Sequence, residues 1–193
     1  MSEAYGGLIV DVVESGIDRV SKILAGIPGG VQKAVGSALA RAGRSGRTVA
    51  ARAITKEYAI SYTQVIANVR NINRSSGSGS SMEVTFGYAG NVIPLVRFDT
   101  TVSGDGYVQT RVKQSSSKEI LDRAFQAQVG AHTGIFERVG TDRFPIKELF
   151  GPAVPQMMYS NEDVMDEVEN KVVETYQNRI DHEITRILNG GYA

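Results

Sequence analysis

The stretch Arg143-Phe144-Pro145-Ile146-Lys147-Glu148-Leu149-Phe150-Gly151-Pro152-Ala153-Val154-Pro155 constrains this chain most. It carries three of the five prolines, set among large apolar residues. Each proline fixes φ, removes a backbone donor and biases its predecessor toward an extended conformation. No long helix or central strand can run through it. Yet Phe144, Ile146, Leu149, Phe150 and Val154 are too apolar for a free loop. The segment is expected to be a rigid, irregular strap that packs on something. Such a strap suits a docking surface better than a catalytic pocket.

The segment after the strap has the clearest period in the chain. From Asn161 to Asn189, Val164, Val168, Val172, Tyr176, Ile180, Ile184 and Leu188 recur every four residues. Asn161 suits the N-cap, Glu162 and Asp163 suit the positive helix start, and Gly190-Gly191 suits the stop. The pattern predicts a helix about 40 Å long at ~1.5 Å per residue. A strict four-residue step drifts around the axis, so the stripe winds and no heptad coiled coil is expected.

The N-terminal part is also expected to be helical. Leu8–Val13 fits a short strand or the first turns of a helix. Ile17, Val20, Ile23, Leu24 and Ile27 mark an amphipathic helix ended by Pro28-Gly29-Gly30. That Ile-Pro-Gly-Gly run lacks the strand-before-helix context of a phosphate loop and reads as an interhelix turn. A longer helix follows from Val31 to about Arg52, with Val31, Val35, Ala38, Leu39, Ala42 and Val49 on one face. Its many small residues allow close helix approach. Ser61 and Gln64 match a capping box, predicting a further helix over 61–72 with Val65, Ile66, Val69 and Ile72 as its stripe.

Asn73–Ser81, rich in Ser and Gly, reads as a linker or mobile loop. It divides a helical region (1–73) from a linker (74–81) and an α+β region (82–193). Past it the period becomes two. Met82–Tyr88 reads as a strand, Gly90-Asn91 as a turn, and Val92–Phe98 as the partner, with Pro94 arguing for an edge. Tyr107–Val112 and Thr133–Val139 are further strands. Leu121, Phe125 and Val129, at i, i+4 and i+8, predict a short helix over 120–129. The fold class is therefore α+β: a helical N-terminal part, a small, mostly antiparallel sheet and a long C-terminal helix.

Cysteine is absent from the sequence, which excludes disulfides and thiolate metal sites. There is no run of eighteen apolar residues, so no membrane span is expected. Met1-Ser2-Glu3-Ala4 lacks the charged and apolar regions of a leader, so secretion is not expected. Walker, His-Glu-x-x-His and Gly-x-Ser-x-Gly motifs are missing. The two histidines, His132 and His182, are expected in surface or hydrogen-bonded roles. Asp181, His182 and Glu183 are consecutive and point in different directions on a helix. Neither catalytic nor cofactor nor metal residues are expected, and an enzyme is not.

The net charge is zero, from 21 basic and 21 acidic residues, but the charges are segregated. From Arg19 to Arg74 the only acid is Glu57. From Asn161 onward, acids outnumber bases. Glu162-Asp163 and Asp166-Glu167 read as ordinary helix solvation. Arg41, Arg44, Arg47, Arg52 and Lys56 recur at three- to five-residue steps. They suit pairing with the acidic C-terminal helix of the same or a neighbouring subunit. Less directly, they also suit DNA phosphates, since arginines on a helix contact phosphate without reading sequence.

Three blocks in order resemble a known family. The first is Ile27-Pro28-Gly29-Gly30, an alanine- and arginine-rich helix, then Ala53-Ile54-Thr55-Lys56-Glu57-Tyr58. The second is Arg123-Ala124-Phe125-Gln126-Ala127-Gln128 before Ile135-Phe136-Glu137-Arg138-Val139-Gly140. The third is the strap and the long helix after it. Together they resemble the minor tail protein Z family of lambda-like tailed bacteriophages, also described as tail completion proteins. The chain departs from that family in being neutral rather than basic.

The resemblance implies a virion structural protein at the head-proximal end of the tail, present in the host cytoplasm during assembly. It implies a homo-oligomeric ring, commonly sixfold, that completes the tail and joins it to the head beside other tail and neck proteins. The residues expected at a subunit or partner interface are Arg143, Phe144, Pro145, Ile146, Phe150, Pro152, Val154, Pro155, Tyr176, Ile180 and Ile184. Arg41, Arg44, Arg47, Arg52 and Lys56 are expected to face a neighbouring subunit or packaged DNA in the lumen. The alternative function is a nucleic-acid-binding module built on the arginine helix.

Overall fold

The computed structural model describes residues 4–7, 11–76 and 83–191. The chain opens with β1 (Ala4–Gly7), α1 (Asp11–Ile23), α2 (Gly30–Glu57) and α3 (Tyr62–Ala67). Seven strands follow: β2 (Arg70–Ser76), β3 (Glu83–Gly90), β4 (Ile93–Pro94), β5 (Asp99–Val102), β6 (Val108–Arg111), β7 (Glu119–Leu121) and β8 (Ala124–Val129). The chain ends with β9 (His132–Arg138), β10 (Ile146–Glu148), β11 (Phe150–Gly151), α4 (Val154–Tyr159) and α5 (Glu162–Leu188). The architecture is α+β, with helices at the N-terminal end, small antiparallel sheets and a long C-terminal helix.

The centre of the fold is the antiparallel pair α2 and α5. Val31, Ala34, Val35, Ala38, Leu39, Ala42, Ala50 and Ile54 of α2 are buried, as are Val164, Val168, Val172, Tyr176, Ile180, Ile184 and Ile187 of α5. Small residues let the helix axes approach. A Cβ at Gly46 would fall on the Tyr88 hydroxyl and 2.5 Å from Val172 Cγ2. The α5 cap is the expected one: the Asn161 side chain accepts a hydrogen bond from Val164 N at 3.3 Å. Leu188 is the exception on the stripe and lies exposed, because the winding four-residue step has left the core by the last turn. At the other end of α2, Gly29 adopts φ 70°, which lets Ile27-Pro28-Gly29-Gly30 serve as the expected interhelix turn.

Four small sheets surround the helices, in the orders β1-β3-β2, β10-β9-β8, β11-β4 and β5-β6-β7. Their core residues, among them Tyr88, Ile93, Val108 and Ile135, join one buried cluster with α2 and α5. The end of α2 is stitched to the β5–β6 sheet. Asp99 N donates to Ala59 O, Ala59 N to Val112 O, and Gln114 N to Glu57 O.

Four expectations are corrected. Residues 120–129 form β7 and β8, not a helix. Positions i, i+4 and i+8 are all even steps, so Leu121, Phe125 and Val129 suit a strand face as well as a helix face. Gly130, at φ 63°, supplies the turn that sends β8 back along β9. Ser61 does cap α3, accepting from Gln64 N, but the helix stops at Ala67. Asn68 Nδ2 donates to Gln64 O at 2.8 Å, and the chain then enters β2 against β3.

Residues 74–76 therefore belong to a strand rather than to the start of a linker, and 77–81 lie outside the described residues. Finally, Val92–Phe98 does not pair with β3. Both edges of β3 are taken by β1 and β2, and Ile93–Pro94 pairs with the strap instead, in the register Phe150↔Pro94 and Gly151↔Ile93.

Candidate interaction surfaces

The strap lies where two sheets meet. Ile146–Glu148 pairs with β9, Leu149 N donates to Ile135 O at 2.8 Å, and Leu95 N donates to Leu149 O at 2.9 Å. Beyond Gly151 the chain turns into α4, with the Gln156 side chain accepting from Ala153 N at 2.8 Å. These bonds give a proline-broken segment the backbone partners it needs.

The strap's side chains divide into two groups. Val154, Pro155, Met157 and Met158 are buried beneath α5 and the β1–β3 sheet. Arg143, Phe144, Pro145 and Phe150 are exposed, and Ile146 and Pro152 are half-covered. This corrects the interface expectation for five residues. Val154, Pro155, Tyr176, Ile180 and Ile184 lie in this chain's own core and have no side-chain surface left for a neighbour.

Of the strap, Arg143, Phe144 and Ile146 form a face with the β8–β9 hairpin. Phe125, Ala127, Val129, Arg138, Arg143, Phe144 and Ile146 line a cleft of about 540 Å³. Phe144 is 65% exposed and Val129 52%. The guanidinium of Arg138 lies 5.1 Å from the Phe125 ring centroid, and that of Arg143 lies 5.6 Å from the Phe144 ring centroid. Arg138 Nη1 also donates to Arg143 O at 2.8 Å, which ties the hairpin to the strap. The surface is thus apolar rings with cations over them, the mixture enriched at the cores of protein interfaces.

A second surface lies on the helices. Arg41, Arg44, Arg52 and Lys56 are exposed, and Arg47 is half-buried. Ser37, Ala40, Arg41 and Arg44 of α2 face Arg179, Glu183 and Arg186 of α5 across a cleft of about 580 Å³. Glu183 is only 2% exposed. Its two oxygens receive Arg179 Nη2 at 2.7 Å and Arg186 Nε at 2.9 Å. Arg186 Nη1 also donates to Gly191 O at 2.8 Å.

Expected pairing of the arginine helix with the acidic helix is thus not what joins α2 to α5 here. Glu183 is taken by arginines of its own helix. Among the described residues, Arg41, Arg44, Arg52 and Lys56 have no ion-pair partner.

Glu183, Arg179 and Arg186 form a unit that is absent from the sequence expectations. Their i, i+4, i+7 spacing puts them on one face, which was the available signal. Phe125 and Val129 line the cleft because residues 124–129 are a strand, where the sequence pattern predicts a helix.

His132 Nε2 lies 2.6 Å from Glu148 Oε1 across β9 and β10, and His182 is exposed on α5. Among the described residues, no group of three metal-ligating side chains forms. Nor is any helix there long and apolar enough to cross a membrane. Comparison with protein-family models, curated proteins and solved structures finds no match to this chain.

Proposed function

We propose that this chain is a structural subunit of a tailed-phage virion. In this reading it acts at the head-proximal end of the tail, where a ring of copies completes the tail and joins it to the head. The observation that carries the reading is the exposed face of the strap and hairpin. Phe144 and Val129 stand in solvent beside Arg138 and Arg143, on backbone that hydrogen bonds hold in place. A prepositioned apolar patch with aromatic and arginine anchors is what a docking subunit presents to its neighbours. Large apolar side chains left outside favour partner binding over an isolated life in solution. The ordered likeness of the three sequence blocks to tail completion proteins supplies the setting.

Gold-labelled antibody against the chain tests the reading on intact virions. Label confined to the head–tail junction is expected. Label spread along the tail, or particles free of the chain, would contradict it.

A further inference from the structure

The fold leaves two charged surfaces unsatisfied, and they match. We propose that the cleft of Arg41, Arg44, Arg179 and Arg186 is a carboxylate socket that receives the acidic start of α5 from a second copy of this chain. The proposal deepens the tail-subunit reading and rests on it for the setting in which copies meet.

The socket is built rather than incidental. Arg41 and Arg44 of α2 and Arg179 and Arg186 of α5 line the cleft together with one carboxylate, that of Glu183. Glu183 is buried and its two oxygens pair with Arg179 and Arg186, which it orients, while Arg41 and Arg44 make no ion pair with it. Like charges gathered in a cleft repel one another, and an incoming anion relieves that repulsion. Guanidinium forks match carboxylate oxygens in geometry as well as charge.

The plug is at the opposite end of the same helix. Asp163, Asp166 and Glu167 are exposed. Among the described residues none of them has an ion-pair partner. They flank the buried positions Val164 and Val168. Glu167 and Glu183 are about 24 Å apart along the axis, at ~1.5 Å per residue. A socket cannot reach the plug of its own helix across that length, so the contact must run between copies. Because plug and socket are different surfaces, the contact is heterologous, and repetition gives a ring or a filament.

Nucleic acid is the competing occupant, since phosphate suits the same forks. Charge balance favours the second copy. The chain is neutral overall, with 21 bases and 21 acids, and brings one acidic plug for every basic socket.

Charge exchange tests the contact on the purified full-length chain by sedimentation velocity. The wild-type chain is expected to associate at about 50 mM salt and to fall apart at high salt, where screening weakens charge contacts. Arg41→Glu with Arg44→Glu, and separately Asp166→Lys with Glu167→Lys, should each weaken association at least about tenfold. Mixing the two variants in equal amounts should restore it, because each then offers the charge the other lacks. All four side chains are exposed, and circular dichroism checks that the variants fold. Arg41→Gln with Arg44→Gln gives a milder version of the same loss.

A wild-type chain that stays monomeric at low salt would overturn the proposal. So would variants that associate normally, or a mixture that stays dissociated. Loss of binding to a short DNA duplex with self-association unchanged would assign the cleft to nucleic acid instead. None of these outcomes depends on virions, so failure here is separable from failure of the proposed location.

Discussion

The hydroxyl of Tyr88 donates to the backbone carbonyl of Gly43 at 3.2 Å, joining the β3 sheet to the middle of α2. Both residues are buried. Burial raises the Tyr88 pKa well above the usual tyrosine range, with Tyr159 adding to the rise and Arg47 opposing it. The hydroxyl therefore keeps its proton and its donor role throughout the ordinary pH range. Tyr176, also buried, has a hydroxyl with no partner among the described residues, and burial pushes its pKa up to about 12.

The two tyrosines should respond oppositely to loss of the hydroxyl. Tyr88→Phe should cost about 1 kcal/mol, the usual worth of one hydrogen bond. Tyr176→Phe should be neutral or stabilising, since it removes an unsatisfied buried polar group. Urea denaturation of the two variants measures the difference. A destabilised Tyr176→Phe variant would show that its hydroxyl is satisfied.

The α2 glycines give a second contrast. A Cβ at Gly46 would strike the Tyr88 hydroxyl and Val172, whereas a Cβ at Gly36 meets nothing within 4 Å. Both are helical, so alanine gains up to about 1 kcal/mol of helix propensity at either site. At Gly36 that gain should appear as a higher Tm. At Gly46 overpacking of about 1–3 kcal/mol should exceed it, so Tm should fall. Equal shifts at the two sites would contradict the close approach of α2, α5 and β3.

Acid sensitivity should localise in part to Asp99. Its carboxylate lies 2.7 Å from Lys118 Nζ and 2.7 Å from Arg111 Nη2. The Lys118 hydrogen bond, with help from Arg111 and against some desolvation, holds its pKa below the usual aspartate value. A depressed folded-state pKa means that the stabilisation is fully present above the unfolded aspartate pKa, about 3.9, and is lost as pH falls through the folded value. Asp99→Asn should therefore melt below the wild type at neutral pH. The gap should close as the pH is lowered into the acid range. A gap that is constant with pH would exclude this linkage.

Within the strap, neighbouring positions should separate stability from assembly. Val154 is fully buried, and Val154→Ala should cost about 2 kcal/mol in the isolated chain. Phe144 is 65% exposed, and Phe144→Ser should change stability by less than about 0.5 kcal/mol. If the chain is the proposed tail subunit, Phe144→Ser should nevertheless lower its incorporation into particles, as measured by the amount of the chain in purified virions. Full incorporation would remove Phe144 from the docking face.

Long periodic elements were legible in the sequence. The stripe of α5 and the small-residue face of α2 extend over many turns, and the Asn161 and Ser61 caps form as their side chains predict. Short apolar runs were not legible. Leu121, Phe125 and Val129 fit both periods, and only pairing with β9 decides between them. The strap was recognisable as irregular, but not which of its side chains are covered. That depends on where β4 and α5 lie, which no local pattern encodes. Tyr176, Ile180 and Ile184 looked available for a partner because the helix covering them, α2, is more than a hundred residues earlier in the chain.

Deletion of the gene for this chain, followed by electron microscopy of the resulting lysate, tests the central claim most directly. The account predicts filled heads and separate tails that do not join, with infectivity restored when the intact chain is supplied in trans. Normally joined, infectious particles in its absence would contradict it.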